Sequence, residues 1–367
     1  MKYRNKIYDV PKSDWQPKVS VVIPAYNEGI LVEKCIRTVL ASEYPKNKFE
    51  VILVDDGSTD DTYKIAKSIN DSRLKVFTKT NSGKAASINF GIKHATGEVI
   101  ATMDADSFIE KDTVVNMLPF FDSEDVAAVT AAVRVKPSNK WLQEVQRIEY
   151  LSIIFSRRLL SFLDAVPVTP GPFSMFRAWV FQRLGGFDET NIVEDHEMAL
   201  RIQSNNYKIR CSIGAEVYTE TPGNMSDLLK QRVRWYRGGI HNTINYRHLM
   251  SPKYGDYGVF VVPIILLTVL TFIPLLAFAY DSLINPPIYS FSLGFETLLL
   301  SINPVSIAGL FLVAFSFFWA YAAVKAFKNE SGNPFTIFLF LVFYGYLTIV
   351  YNILTIVKEI RKERFSW

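Results

Sequence analysis

The sequence predicts an α/β fold over residues 18–250, a largely parallel sheet with helices on both faces, followed by α-helical transmembrane segments. Three observations predict it. Short β-branched runs alternate with apolar residues at helical spacing. Acidic clusters stand at the carboxyl ends of two of those runs, where such sheets bind ligands. The apolar excess of the 367-residue chain (49% hydrophobic, 21% charged, mean hydropathy +0.13) collects after residue 250.

The first run, VSVVIPAY (19–26), is a strand that ends at Asn27-Glu28-Gly29. ILVEKCIRTVLAS (30–42) then has the apolar spacing of a helix. FEVILVDD (49–56) is a second strand, closed by Gly57-Ser58. TDDTYKIAKSIN (59–70) follows as a helix with Ser58 or Thr59 as its N-cap. LKVFTK (74–79) is a third strand, KAASINFGIKHA (84–95) a helix, and GEVIATMDAD (97–106) a fourth strand. Residues 140–163 carry an apolar stripe through Trp141, Val145, Ile148, Leu151, Phe155, Leu159 and Phe162. That stripe packs a helix on the sheet, or makes an interfacial helix that docks the domain to the spans with Arg157 and Arg158 toward lipid headgroups; the second reading is preferred.

Three stretches are uncharged: 258–280, 304–324 and 334–357. Each is long enough to cross a hydrocarbon core of about 30 Å as a helix. Arg247 and Lys253 precede the first, whereas 281–303 has no Lys or Arg. Positive charge marks the cytoplasmic side, so residues 1–250 are expected inside and that loop outside. Three spans then put Lys358, Arg361, Lys362 and Arg364 outside, unless 288–302 adds a fourth, short segment. The expected organisation is a polar extension (1–17, with no signal peptide), a catalytic domain (18–250, with interfacial helices near 140–163 and 225–248) and a multi-pass domain (251–367) in the cell membrane.

Several functions are excluded. The net charge of +4 is too small to argue for nucleic acid. Two cysteines, Cys35 and Cys211, and four scattered histidines give no disulfide framework, thiolate zinc site or histidine-built metal centre. Neither GxxxxGK[ST] nor GxGxxG occurs. What remains is acidic and basic. Asp104-Ala105-Asp106 ends a strand and either caps a turn or binds a divalent cation that holds a diphosphate. Asp56 ends another and can accept from a base or ribose hydroxyl. Glu194-Asp195 opens a helix, as a cap at the positive dipole end or as a general base. Gln231-Arg232-Val233-Arg234-Trp235 can bind phosphate and stack on a sugar, or lie as a basic, aromatic helix at a membrane surface.

Taken in order, Asp56, Asp104/Asp106, Glu194-Asp195 and Gln231–Trp235 resemble the D, DxD, (T)ED, Q(Q/R)xRW signature of the inverting family 2 glycosyltransferases, which include cellulose, chitin, hyaluronan and poly-N-acetylglucosamine synthases. VSVVIPAYNE, VILVDDGSTDDT, NSGKAASINFGI and GPFSMFR resemble further pieces of that family. The resemblance implies a GT-A (Rossmann-like) domain, a nucleotide-sugar donor, usually a UDP-sugar, and Mg²⁺ or Mn²⁺. By position it implies donor-binding roles for Pro24, Tyr26, Glu28, Asp56, Lys84, Asp104, Arg232 and Arg234. Asp106, with Asp104, would hold the metal. Asp195, beside Glu194, would be the general base. Trp235 and the stretch Gly171, Pro172, Phe173, Ser174 would border the acceptor. Val193 departs from the pattern, replacing the Thr of TED. No FxVTxK or WGT-type element occurs. The implied partners are the donor, a glycan or lipid-linked acceptor, membrane lipids and a further copy of the chain.

Overall fold

The computed structural model describes residues 5–264, Leu267, Ile284, 304–327, Glu330, 332–361 and Glu363. Eight strands form one mixed sheet in the order β3-β2-β1-β4-β7-β6-β8-β5. They are β1 Val19–Ala25, β2 Phe49–Asp55, β3 Leu74–Thr78, β4 Val99–Thr102, β5 Ser107–Ile109, β6 Val126–Val135, β7 Ser174–Arg177 and β8 Lys208–Thr219. The half holding β1 to β4 is parallel, with Val19 opposite Phe49 and Ala25 opposite Asp55. β7 then runs antiparallel to both β4 and β6, so the sheet is less parallel than the sequence predicts.

The helices are α1 Val32–Leu40, α2 Thr62–Ser68, α3 Lys84–His94, α4 Thr113–Met117, α5 Trp141–Ser161, α6 Ala178–Arg183, α7 Glu194–Ser204, α8 Met225–Asn245, α9 Pro304–Ala326 and α10 Pro334–Ile360. β1 and β2 are buried at every position, which explains their unbroken β-branched runs. Cys35, Ile36 and Val39 of α1 cover one face through Val21, Ile23 and Leu53. Ile88 of α3, with Met198 and Ile202 of α7, covers the other through Val22, Ile52 and Val54. Each fully buried aliphatic side chain of this kind contributes about 1.5–3 kcal/mol.

Two local expectations are corrected. α2 starts three residues later than expected, with Asp61 before it. Ser58 and Thr59 do not cap it, because both bind Asn27 across the strand ends. Arg157 and Arg158 do not face lipid headgroups. α5 lies on the sheet and under α9, and both arginines are buried.

The apolar C-terminal region docks on that same side. Ala320, Ala323, Val324 and Phe327 of α9 pack against Ile148, Leu151 and Ile154 of α5 and Cys211 of β8. Glu330 pairs with Arg134 and Arg147. α10 lies along α5 and α8. Phe343 meets the Trp141 ring at 5.3 Å, Leu347 and Tyr351 join Leu142, Leu228 and Val233, and Glu359 takes Arg237 at 2.6 Å. The other side of α10 exposes Phe338, Val342, Tyr346, Val350 and Ile353. Among the described residues, α10 is the one helix long and apolar enough to cross a membrane. Most of the expected first span, the following loop and the possible fourth segment (288–302) lie outside the described residues.

Glu50 ties the start of the sheet together. Its carboxylate accepts from Ser20 Oγ (2.6 Å), Thr96 N (2.8 Å), Thr96 Oγ1 (2.7 Å) and Lys75 Nζ (2.8 Å). Burial pushes the carboxyl up, but these bonds outweigh it and bring it down to about 2. Its contribution is therefore fully present above the ordinary value of 4.5 and is lost as the pH falls toward 2. Glu50→Gln should cost about 1–3 kcal/mol at neutral pH. In thermal unfolding, the gap from the wild type should close between pH 4.5 and 2; a constant gap would contradict this account.

Candidate functional site

The carboxyl ends of β1, β2 and β4 open on one edge, and the acidic residues gather there. β4 stops at Thr102, so Asp104 and Asp106 sit in the turn before β5 and not inside a strand. Lys84, the first residue of α3, donates to Asp104 Oδ1 at 2.6 Å and to Glu194 Oε1 at 3.1 Å. Gly171 joins the next segment. Its carbonyl accepts from Asp104 N at 3.2 Å, and its N–H donates to Asp195 Oδ2 at 3.3 Å. Residues far apart in sequence thereby meet: Asp104, Lys84, Glu194, Asp195 and Gly171.

The paired carboxylates of α7 differ. Glu194 is 3% exposed and held by Lys84, whereas Asp195 is half-buried and reachable. Asp195 Oδ1 accepts from His196 N at 2.8 Å, and its carbonyl accepts from Thr169 Oγ1 at 2.8 Å. The helix opens at Glu194 as expected, with Val193 as the cap residue.

Crowding of like charge raises the neighbouring carboxyls. Burial, Asp106, Asp104 and Asp60 push Glu28 up to about 7. Burial and Asp104 push Asp106 up to about 6, against bonds from Ser107 and Thr219. Burial also raises Glu194, against the Lys84 charge. For Lys84, burial disfavours the ammonium, but Asp104, Glu194 and Asp195 outweigh it and hold its pKa above the ordinary value.

The other expected residues divide. Tyr26, 48% exposed, and Glu28 follow β1 directly, on this edge. Pro24 is buried within β1. Asp56 is buried too: it accepts from Ser82 N (3.0 Å), Gly83 N (2.8 Å) and Lys79, which orders the 79–83 loop that leads into α3. Phe173 and Ser174, expected beside the acceptor, are both buried. Phe173 is in the core, and the buried Ser174 gives its hydroxyl proton to Pro170 O at 2.8 Å. Pro172 remains half-buried. Arg232, 4% exposed, turns to α5. It pairs with Glu149 at 2.5 Å, and Tyr344 of α10 also donates to Glu149. Its guanidinium lies 4.3 Å from the Trp235 ring centre. Trp235 and Arg234 are half-buried on α8. Sequence reasoning missed Thr169, since nothing in the local pattern marks a residue whose role is to bond a carbonyl of a distant helix.

Among the described residues no three carboxylate, imidazole or thiol groups converge as a full ligand set. Two aspartates beside a raised Glu28 nonetheless suit Mg²⁺ or Mn²⁺, which take few protein oxygens and complete their shells with water and phosphate.

Residues 20–185 match the family described as glycosyl transferase family 2. The chain carries a family 2 glycosyltransferase domain. The poly-beta-1,6-N-acetyl-D-glucosamine synthase of Staphylococcus epidermidis is 33% identical over 226 residues, 60% of this chain and 54% of that protein. The synthase of the same name from Staphylococcus aureus is 30% identical over 225 residues. The chain spans about half the length of these relatives. The mannosyltransferase PcManGT from Pyrobaculum calidifontis, solved with GDP-Man and Mn²⁺, has a TM-score of 0.63 at 21% identity over 99% of this chain and 95% of its own, so the glycosyltransferase domain and its appended helices share that fold.

Gly171 is the tightest joint of the cluster. A Cβ there would stand 2.7 Å from both Asp104 Oδ2 and Lys84 Nζ. Gly171→Ala should cost about 1–3 kcal/mol through overpacking. Gly239→Ala, in mid-α8 with nothing within 4 Å of the new carbon, should stabilise by about 0.5–1 kcal/mol. Urea midpoints check both; equal effects would contradict the packing described.

Proposed function

We propose that this chain is a membrane-bound inverting glycosyltransferase that moves a sugar from a UDP-sugar to a hydroxyl of a growing glycan. The observation that carries the reading is the joining of Asp104, Glu194 and Asp195, from separate segments, through Lys84 and Gly171 at one strand edge. The relatives' names support a glycan product.

In this reading Tyr26 stacks on the base, and Asp56 shapes the loop around it. Asp106 and Asp104 would hold Mg²⁺ or Mn²⁺, which when bound offsets charge on the donor diphosphate. Arg234 adds positive charge there. Asp195 takes the proton of the acceptor hydroxyl as its oxygen forms the bond to the anomeric carbon. The bond from that carbon to the diphosphate oxygen breaks, and its electron pair leaves with UDP. One in-line displacement inverts the centre. Lys84 bridges Glu194 and Asp104, and its charge counters the burial that raises Glu194. Trp235 forms the floor under the acceptor sugar. Residues 18–250 face the cytoplasm, and the exposed apolar side of α10 supports seating against the membrane. A lipid-linked acceptor is a second reading, favoured by a largely apolar cavity lined by Ile153, Leu160, Val168 and Phe340 between α5 and α10.

Asp195→Asn should leave UDP affinity unchanged and lower sugar transfer by a factor of about 10²–10⁴. Asp106→Asn should weaken UDP binding with Mn²⁺ present and leave it unaltered in EDTA. UDP titrations and product assays on detergent-purified full chain check both. An Asp195→Asn enzyme with near-normal turnover, or an Asp106→Asn protein with normal Mn²⁺-dependent UDP affinity, would contradict the roles given.

A further inference from the structure

α10 is 27 residues long, or about 40 Å, enough to cross a hydrocarbon core of about 30 Å. The contacts at its two ends decide whether it does. Four residues before it, Glu330 pairs with Arg134 of β6 at 3.5 Å and with Arg147 of α5. Arg134 is a sheet residue. Its guanidinium also holds Glu216 of β8 at 2.7 Å and lies 5.1 Å from the Phe327 ring centre. The entry to α10 is thus fixed to the catalytic sheet.

At the other end, Glu359 accepts from Arg237 Nε of α8 at 2.6 Å and lies 3.2 Å from His241 Nε2. Arg237 Nη2 donates to the Glu363 carbonyl at 2.9 Å. This part of α8 is built into the catalytic domain as well. Asn242 donates to the Val193 carbonyl at 3.3 Å, and its Oδ1 accepts from Asn191 at 2.6 Å. Gly238 passes so close that an added Cβ would stand 2.2 Å from Val193 Cγ2. Val193 directly precedes Glu194 and Asp195, so the last turn of α10 stands one helix away from the proposed general base.

The contacts continue between the ends. Phe343 meets Trp141, Tyr344 donates to Glu149, and the Tyr351 ring centre lies 4.6 Å from that of Tyr236. A crossing helix would instead carry its last turn to the far side of the hydrocarbon, about 30 Å from its start. Keeping the same contacts there would draw Glu149, Arg232 and Arg237 into hydrocarbon, where ionised side chains are costly.

The outer face indicates what covers it. Phe335, Phe338, Val342, Tyr346, Val350 and Ile353 recur every three or four residues and are exposed, and residues 334–357 hold no charge. Lys358 and Arg361 follow, with side chains 41% and 70% exposed. One apolar stripe that ends in basic residues suits the boundary between acyl chains and anionic headgroups.

We propose that α10 does not cross the membrane: it lies in the membrane plane on the catalytic side, clamped at both ends to the catalytic domain, with its outer face in one lipid leaflet. This rests on the membrane-bound part of the reading above, replaces the expected span at 334–357, and leaves the transfer chemistry untouched. Lys358 and Arg361 then stay on the side of residues 18–250, where positive charge is favoured.

Single cysteines in the full chain, probed in sealed membrane vesicles of both orientations with an impermeant maleimide, test the topology. The native Cys35 and Cys211 are buried, so the parental protein sets a low background. Lys64→Cys, Asn333→Cys and Arg361→Cys should all label from one and the same side. Labelling of Arg361→Cys from the side opposite Lys64→Cys would overturn the proposal, and so would labelling of Arg361→Cys only after detergent. Nitroxides at Phe338→Cys, Tyr346→Cys and Ile353→Cys in liposomes containing phosphatidylglycerol then report depth through oxygen and nickel-chelate relaxation. All three should lie within about 5 Å of one depth, near the headgroup boundary. A spanning helix would separate the first from the last by about 22 Å. That gradient would overturn the in-plane seat, and three labels shielded from both reagents would show protein rather than lipid on this face and overturn the leaflet as its partner. UDP titrated with Mn²⁺ into the same samples separates the two readings: normal UDP affinity with opposite-side labelling sinks this proposal alone, and a parental protein that binds no UDP sinks the donor reading.

Discussion

Like charge crowded at one sheet edge is the constraint on which the rest of the site depends. Glu28, Asp104, Asp106, Glu194 and Asp195 come from three separate segments, and burial raises the carboxyls of Glu28, Asp106 and Glu194. Lys84 allows them to coexist. It stands at the start of α3, between Asp104 and Glu194, and Gly171 passes so close that an added Cβ would push on the Asp104 and Lys84 side-chain ends at 2.7 Å. The cluster nevertheless stays over-acidic, as the raised carboxyls of Glu28 and Asp106 show, and an added cation with a diphosphate would relieve that excess. Structure and chemistry thus share one cause: the residues that are hardest to keep together are those proposed to bind the donor.

A second polar joint connects this edge to the appended helices. Glu149 of α5 accepts from Arg232 of α8 and Tyr344 of α10, so three helices share one buried carboxylate. Breaking such a group by removing one partner costs about 3–5 kcal/mol. The arrangement ties the helix that carries Trp235 to α10, and it explains why the arginine with the more buried side chain in that stretch serves the scaffold.

The sequence made the parallel half of the sheet legible because its signals are local. β1, β2, β3 and α3 are contiguous runs with their own turn residues, and each lies within a few residues of its expected place. β6 and β8 were not legible. VAAVTAAVRV is buried at every position and shows no alternation, and its partners lie some 45 to 80 residues further along the chain. The acidic cluster was readable as a series of motifs, since strand ends deliver those residues by position. Directions of side chains were not. Arg232, Phe173 and Ser174 occupy expected positions, yet packing turns them to Glu149, the core and Pro170. Arg157 was visible as a charge on an apolar stripe, and only the fold of α10 over α5 reveals the cavity beside it.

The central claim is that Lys84 holds a donor-binding cluster together, and Lys84→Met tests it most directly. Removing the shared partner of these half-buried ion pairs leaves Asp104 and Glu194 uncompensated, at a cost of about 1–3 kcal/mol. Calorimetric titration of UDP at saturating Mn²⁺, with thermal unfolding of the same sample, should show both a lowered midpoint and affinity reduced by about tenfold or more. Wild-type stability together with wild-type UDP affinity in Lys84→Met would contradict the account.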